Sequence, residues 1–177
     1  MRKLLITLLL LLLPLSLHAL SLDSSVTLYY GIETQDDKRE DGMILRNSIR
    51  AEMVSNPFTL VFDNISIGPS LGFEFTYDSE PVSGIRLIGH EGAVFALNFK
   101  YSFQDSFSLG LEGGIGVGHY NYMDMSYASL NGYLIADWHV DRVILSIKTG
   151  LSYRRETIAG VIEIGAGLDF GDRGEWT

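Results

Sequence analysis

In the segment 157–170 every second residue is apolar or glycine: Ile158, Gly160, Ile162, Ile164, Ala166, Leu168 and Phe170. Between them stand Thr157, Ala159, Val161, Glu163, Gly165, Gly167 and Asp169. A period of two sends these sets to opposite faces of an extended chain, a pattern that a helix of about 3.6 residues per turn cannot use. The alternation returns in 93–103, where Phe95, Leu97, Phe99, Tyr101 and Phe103 oppose Ala96, Asn98, Lys100 and Ser102. Weaker forms cover 26–33, 43–54, 65–77, 106–120, 126–140 and 143–154. The expectation is an all-β chain of eight strands.

Several of these strands run 12 to 15 residues, against a typical length of about 5 to 6 in soluble sheets and about 9 to 11 for a tilted membrane crossing. The connections alternate. Segments 34–42 and 78–91 are long, whereas Gln104-Asp105 and Asp141-Arg142 are two-residue turns. Short turns at one end and longer loops at the other are the habit of a transmembrane barrel. Arg2 and Lys3 precede an apolar run from 4 to 13 broken only by Thr7, then Pro14 and Leu17-His18-Ala19. That is the layout of a secretory signal peptide, so 1–19 is expected to be removed and 20–177 to form the barrel domain. Export places the N-terminus on the periplasmic side, and eight strands return the C-terminus there.

The polar face decides between a membrane barrel and a soluble one. A soluble barrel turns its apolar face inward around a ligand. Here the polar face is rich in Gly, Ser and Thr with isolated charges, and small residues suit a crowded interior. The sequence holds no cysteine, which excludes both a disulfide-stapled fold and a lipid-modified N-terminal cysteine. Its formal net charge of −9 becomes more negative once Arg2 and Lys3 are lost, so nucleic acid is not an expected partner.

With these features the mature chain resembles the OmpA/OmpX class of eight-stranded outer-membrane barrels. The local match is in the last strand, where Glu163, Gly165, Leu168 and Phe170 fit the pattern of a C-terminal assembly signal. The resemblance implies outer-membrane lipid and the barrel-assembly machinery as partners. Members commonly end at the aromatic residue, whereas 171–177 follow here, so Phe170 and Trp176 both stand as docking aromatics.

On the inward face the alternation places Arg46, Arg50, Glu52, Glu74, Lys100, Glu112, Asp137, Lys148 and Glu163. Unpaired charges in a narrow lumen are costly. Counting from the turns pairs Arg46 with Glu74, Lys100 with Glu112 and Lys148 with Glu163. A lumen-filling network closes the barrel. Phe103, Phe107, Trp138 and Phe170 fall at the periplasmic strand ends and Tyr77 and Tyr153 at the others, as two interfacial girdles. His90, His119 and His139 lack metal-ligand spacing, and their placement suggests no Ser/His/acid cluster. No cofactor and no catalysis are expected.

The reading is a non-enzymatic surface barrel, envelope-structural or binding a ligand or host through outer loops 34–42 and 78–91. The alternatives are a narrow solute channel and, third, a lipid-modifying enzyme. Ile85, Leu87 and Ile88 make 78–91 unusually apolar for a loop; it is either strand projecting above the membrane or a contact surface. Segment 57–63 is likewise apolar for a periplasmic connection. Protease added to intact cells is expected to cut within 34–42 or 78–91. A cut at the Asp141-Arg142 turn in intact cells overturns the orientation.

Overall fold

A computed structural model describes residues 23–37, 42–80, 86–104, 106–120, 125–154 and 157–170. The expected signal segment and Trp176 lie outside them. Nine strands follow in order: β1 (Asp23–Asp37), β2 (Gly42–Asn56), β3 (Leu60–Phe62), β4 (Ile65–Glu80), β5 (Arg86–Gln104), β6 (Phe107–Tyr120), β7 (Met125–Val140), β8 (Val143–Arg154) and β9 (Thr157–Asp169). All pairings are antiparallel, β2 also pairs with β4, and β1 joins β9 from Ser25↔Asp169 to Gln35↔Ala159. The result is a closed eight-stranded barrel, with β3 as an arm outside the ring. Closure leaves no open sheet edge, which is what a chain without water to satisfy its backbone requires.

Side-chain burial is inverted relative to a soluble protein. Leu28, Phe73, Ile115, Ile158 and Ile164 are exposed, Ile164 at 65 %, while Lys148 is 1 % exposed and Glu163 4 %. Lys and Glu are almost never fully buried in soluble proteins unless paired. An exterior this apolar is a lipid-facing belt, and the soluble-barrel alternative fails on it. At the end that carries the short turns, Tyr101, Phe103, Phe107 and Trp138 form one outward row of touching rings, with centroids 4.9, 5.5 and 4.9 Å apart in that order. Phe170 is exposed at the same end, its N–H bonded to the Ser24 carbonyl at 2.7 Å. Tyr77 and Tyr153 are exposed towards the opposite end.

Two expected loops are largely strand. Pairing continues from Thr34↔Leu45 to Asp37↔Gly42, and from Tyr77↔Gly89 to Glu80↔Arg86. Residues 38–41 and 81–85 lie outside the described residues. Charged and polar residues end a hydrophobic pattern but not a hydrogen-bonded ladder, which continues while a partner backbone is present. The alternative left open for 78–91 resolves toward strand over 78–80 and 86–91: β5 residues 86–89 pair with β4.

The apolar segment 57–63 also has its explanation. Pairing of β2 with β4 stops at Ser55↔Leu71, which frees the start of β4 along that edge. The chain folds back, and β3 covers the edge with Leu60↔Ile67 and Phe62↔Ile65. Pro69, which has no N–H to offer, falls in the gap between the two partners. Gly68 lets the returning backbone approach: a Cβ there would stand 3.1 Å from the Thr59 Cα. The two-residue Asp63-Asn64 turn needs a left-handed first residue, and Asp63 supplies it at φ 49°.

Candidate functional site

Alternation turns Thr27, Tyr29 and Glu33 of β1 inward, with Ser48, Arg50 and Glu52 of β2 beside them. At mid-height the lumen is filled by one charged cluster. Arg50 Nε donates to Glu163 Oε1 at 3.1 Å, and Nη2 donates to Glu163 Oε2. Its Nη1 lies 3.2 Å from Glu74 Oε2 and 3.4 Å from Glu52 Oε1. Lys148 Nζ donates to Glu112 Oε1 at 2.8 Å and stands 3.6 Å from Glu52 Oε1. Glu52 therefore bridges both cations. The Arg50 guanidinium carbon lies 4.7 Å from the Tyr29 ring centroid, and Lys148 Nζ 4.4 Å from that of Tyr133.

The space for this cluster comes from glycines. Tyr29, Tyr133 and Tyr127 each lie directly across from a glycine, namely Gly165, Gly150 and Gly118. A Cβ at Gly150 would come within 2.8 Å of the Tyr133 ring, and one at Gly165 within 2.6 Å of the Tyr29 ring. Each ring thus lies over a neighbouring backbone instead of standing into the lumen. Gly31, opposite Glu163, does the same for an ion pair: a Cβ there would meet the Glu163 Cγ at 2.6 Å.

Smaller tiers sit at either side. On the short-turn side Lys100 Nζ reaches Asp137 Oδ2 at 3.0 Å, and Ser146 Oγ donates to Asp137 Oδ1 at 2.8 Å. On the other, Arg154 donates to Glu33 at 2.8 Å and to Ser152 at 3.2 Å, and Ser152 donates to Asn131 at 2.8 Å. Between this tier and the centre is a cavity of about 20 Å³, touched by Glu33, Arg50, Tyr133 and Arg154. That is room for about one water molecule.

The expected pairings need correction. Arg46 lies opposite Glu33, not Glu74, whose carboxylate goes to Arg50. Lys100 goes to Asp137 instead of Glu112, passing Gly110, its side-chain-free register partner. Lys148 and Glu163 are direct register partners, yet Lys148 takes Glu112 and Glu52 while Glu163 takes Arg50. Counting from turns ignores strand tilt and the reach of long stems across an intervening strand. Tyr29, Tyr133, Glu33 and Arg154 were missed, although period two already turned all four inward. Of the four assembly-signal residues, Glu163 and Gly165 face the lumen, and Leu168 and Phe170 are exposed outside.

A second constellation stands on the outer face. Glu91 of β5, His119 of β6 and Ser126 of β7 are successive register partners, Glu91↔His119 and His119↔Ser126. His119 Nδ1 and Ser126 Oγ are 3.4 Å apart. The three line one groove of about 430 Å³ with Phe73, Phe75 and Val117. The placement of the histidines in the sequence suggests no such set, and register brings these three side by side. Sequence spacing hides the convergence because each residue belongs to a different strand. The available signal was the outward parity of all three on strands whose other outward residues are mostly apolar. The His90 side chain lies outside the described residues.

The central and lower tiers differ in solvent access, and stability is expected to follow. The Lys148 side chain is 2 % exposed and that of Lys100 37 %. Lys148→Met strands Glu112 and is expected to cost about 3 to 5 kcal/mol. Lys100→Met is expected to cost less than about 1 kcal/mol. Urea unfolding in lipid vesicles measures both, and equal costs contradict the tiered description.

No family model matches the chain, and no curated protein matches it in sequence. Solved structures do. The crystal structure of Neisserial surface protein A (NspA) is similar at TM-score 0.53 and 8 % identity, over 83 % of this chain and 96 % of that one. That of Ail, the attachment invasion locus protein of Yersinia pestis, in complex with the heparin analogue sucrose octasulfate, gives TM-score 0.49 and 14 % identity, over 84 % and 99 %. With its apolar belt outside and its ion pairs inside, the chain has the fold of a small eight-stranded transmembrane β-barrel, OmpA/OmpX-like in architecture.

Proposed function

We propose that this is a closed barrel that works at its outer surface and passes no solute through its lumen. The observation that carries the reading is the central cluster. Arg50 and Lys148 with Glu52, Glu74, Glu112 and Glu163 span the interior from β2 to β9 at one height. An eight-stranded ring encloses little more than its own side chains, and the ones present here are ion-paired to one another. A hydrated ion would have to displace those pairs. The cavity of about 20 Å³ beside the central cluster is room for about one water molecule, too little for a hydrated ion to pass.

Function then falls to the exterior. A ligand or host surface would bind through segments 34–42 and 78–91, at the ends of the β1–β2 and β4–β5 pairs opposite the short turns. Outer-membrane lipid covers the belt. The barrel-assembly machinery would read the outward Leu168 and Phe170, since Glu163 is engaged by Arg50. Segment 1–19 would serve as the export signal and be removed.

Planar-bilayer recording of the purified protein tests the closed lumen. Quiet bilayers at neutral pH are expected after verified insertion. Reproducible unit conductance steps overturn the reading in favour of the channel.

A further inference from the structure

A polar trio on a lipid-facing wall is out of place, and its chemistry is specific. Glu91, His119 and Ser126 all point outward, in line across three adjacent strands. Opposed residues of antiparallel strands hold their Cβ atoms about 4.5 to 5.5 Å apart. His119 therefore stands between an acid and a hydroxyl in register. In the tautomer with its proton on Nε2, His119 Nδ1 accepts from the Ser126 hydroxyl across 3.4 Å. A hydroxyl, an imidazole and an orienting carboxylate in that order are the parts of a nucleophilic serine site, recognised by geometry and not by chain order. Contacts of this kind are often long before substrate arrives.

The neighbouring surface supplies a place for an acyl chain. Phe73 and Phe75 of β4 and Val117 of β6 flank a groove of about 430 Å³ that reaches the trio. Its floor is low because Ala93 stands between Phe73 and Val117 in register. The groove opens outward, where the solvent is lipid. Phe75 is the register partner of Glu91, and Tyr77 lies two residues beyond it. Aromatic rings at this position mark the membrane–water boundary, the depth at which lipid esters join chain to headgroup.

We infer that Ser126, His119 and Glu91 form an outward-facing serine esterase site that hydrolyses an acyl ester of an outer-leaflet lipid. Ser126 Oγ attacks the ester carbonyl carbon as its proton passes to His119 Nδ1. The carbonyl carbon–oxygen bond to the lipid alcohol breaks, and His119 returns the proton to the departing alkoxide. Water from the aqueous side then attacks the Ser126 ester, gives a proton to His119, and releases the fatty acid as the proton goes back to Ser126 Oγ. The sum is ester plus water to acid plus alcohol. Ser126 and His119 are catalytic residues, and Glu91 is a positioning residue acting through His119. The inference stands independently of the closed lumen, since it uses only the outer wall.

The test uses the full chain isolated from outer membranes in detergent, with heat-modifiable gel migration as the folding control. The probes are p-nitrophenyl octanoate in micelles, vesicles of phosphatidylethanolamine and lipopolysaccharide scored for fatty-acid release, and a fluorophosphonate mapped by mass spectrometry. Turnover of both esters and labelling at Ser126 are expected. Ser126→Ala and His119→Ala should each lose about 100-fold or more. Glu91→Asp should retain more activity than Glu91→Gln, a difference that a packing role does not require. If Ser126→Ala fails to fold, labelling of the unaltered protein decides. Folded protein that turns over neither ester, a rate unchanged by Ser126→Ala, or labelling that misses Ser126 overturns the assignment. Turnover of the micellar ester alone overturns the lipid substrate.

Discussion

Arg50 sits on β2, and the carboxylate it holds with two hydrogen bonds belongs to β9. Between them runs β1, the strand whose pairing with β9 closes the ring. The ion pair therefore stitches the closure seam from inside, across Gly31, where a Cβ would meet the Glu163 side chain. Alternation alone leaves this seam under-specified. A slip of one residue is forbidden because it turns every side chain to the wrong face. A slip of two residues keeps the faces but moves Glu163 about 7 Å along the strand. Arg50 and Glu163 would then be buried apart, at a cost of several kcal/mol. The pair makes one register preferable where the belt accepts several.

The rest of the interior follows from that buried charge. A guanidinium and an ammonium at mid-height need acceptors, and Glu52, Glu74, Glu112 and Glu163 supply them from β2, β4, β6 and β9. Such a cluster needs volume. Tyrosines laid flat over Gly165 and Gly150 provide aromatic faces for the two cations while keeping the ring narrow. The same arrangement accounts for Gly150 and Gly165, where a Cβ would strike the tyrosine ring. Outside, the belt is mostly apolar, and Glu91, His119 and Ser126 stand side by side near the β5–β7 strand ends.

Faces were legible in the sequence, and contacts were not. Period two turned Arg50, Lys148 and Glu163 inward and Phe95, Ile115 and Ile164 outward, since face depends only on parity along a strand. Contact depends on strand tilt and side-chain reach as well. Lys148 and Glu163 were correctly read as neighbours, yet each is engaged by a third residue. Strand ends were read short at 34 and 78 because polar residues end a hydrophobic pattern before they end a ladder. The β3 arm was unreadable because its partner is the stretch of β4 that outlasts β2. The Glu91, His119 and Ser126 line required three registers at once, although its signal, polarity on a lipid face, was on the page.

The claim on which the account depends is that Arg50 and Glu163 couple across the seam. Urea unfolding in lipid vesicles of Arg50→Ala, Glu163→Ala and the double variant measures that coupling directly. The account predicts a coupling energy of about 1 to 3 kcal/mol, with the double variant less destabilised than the sum of the singles. Strictly additive losses would contradict it.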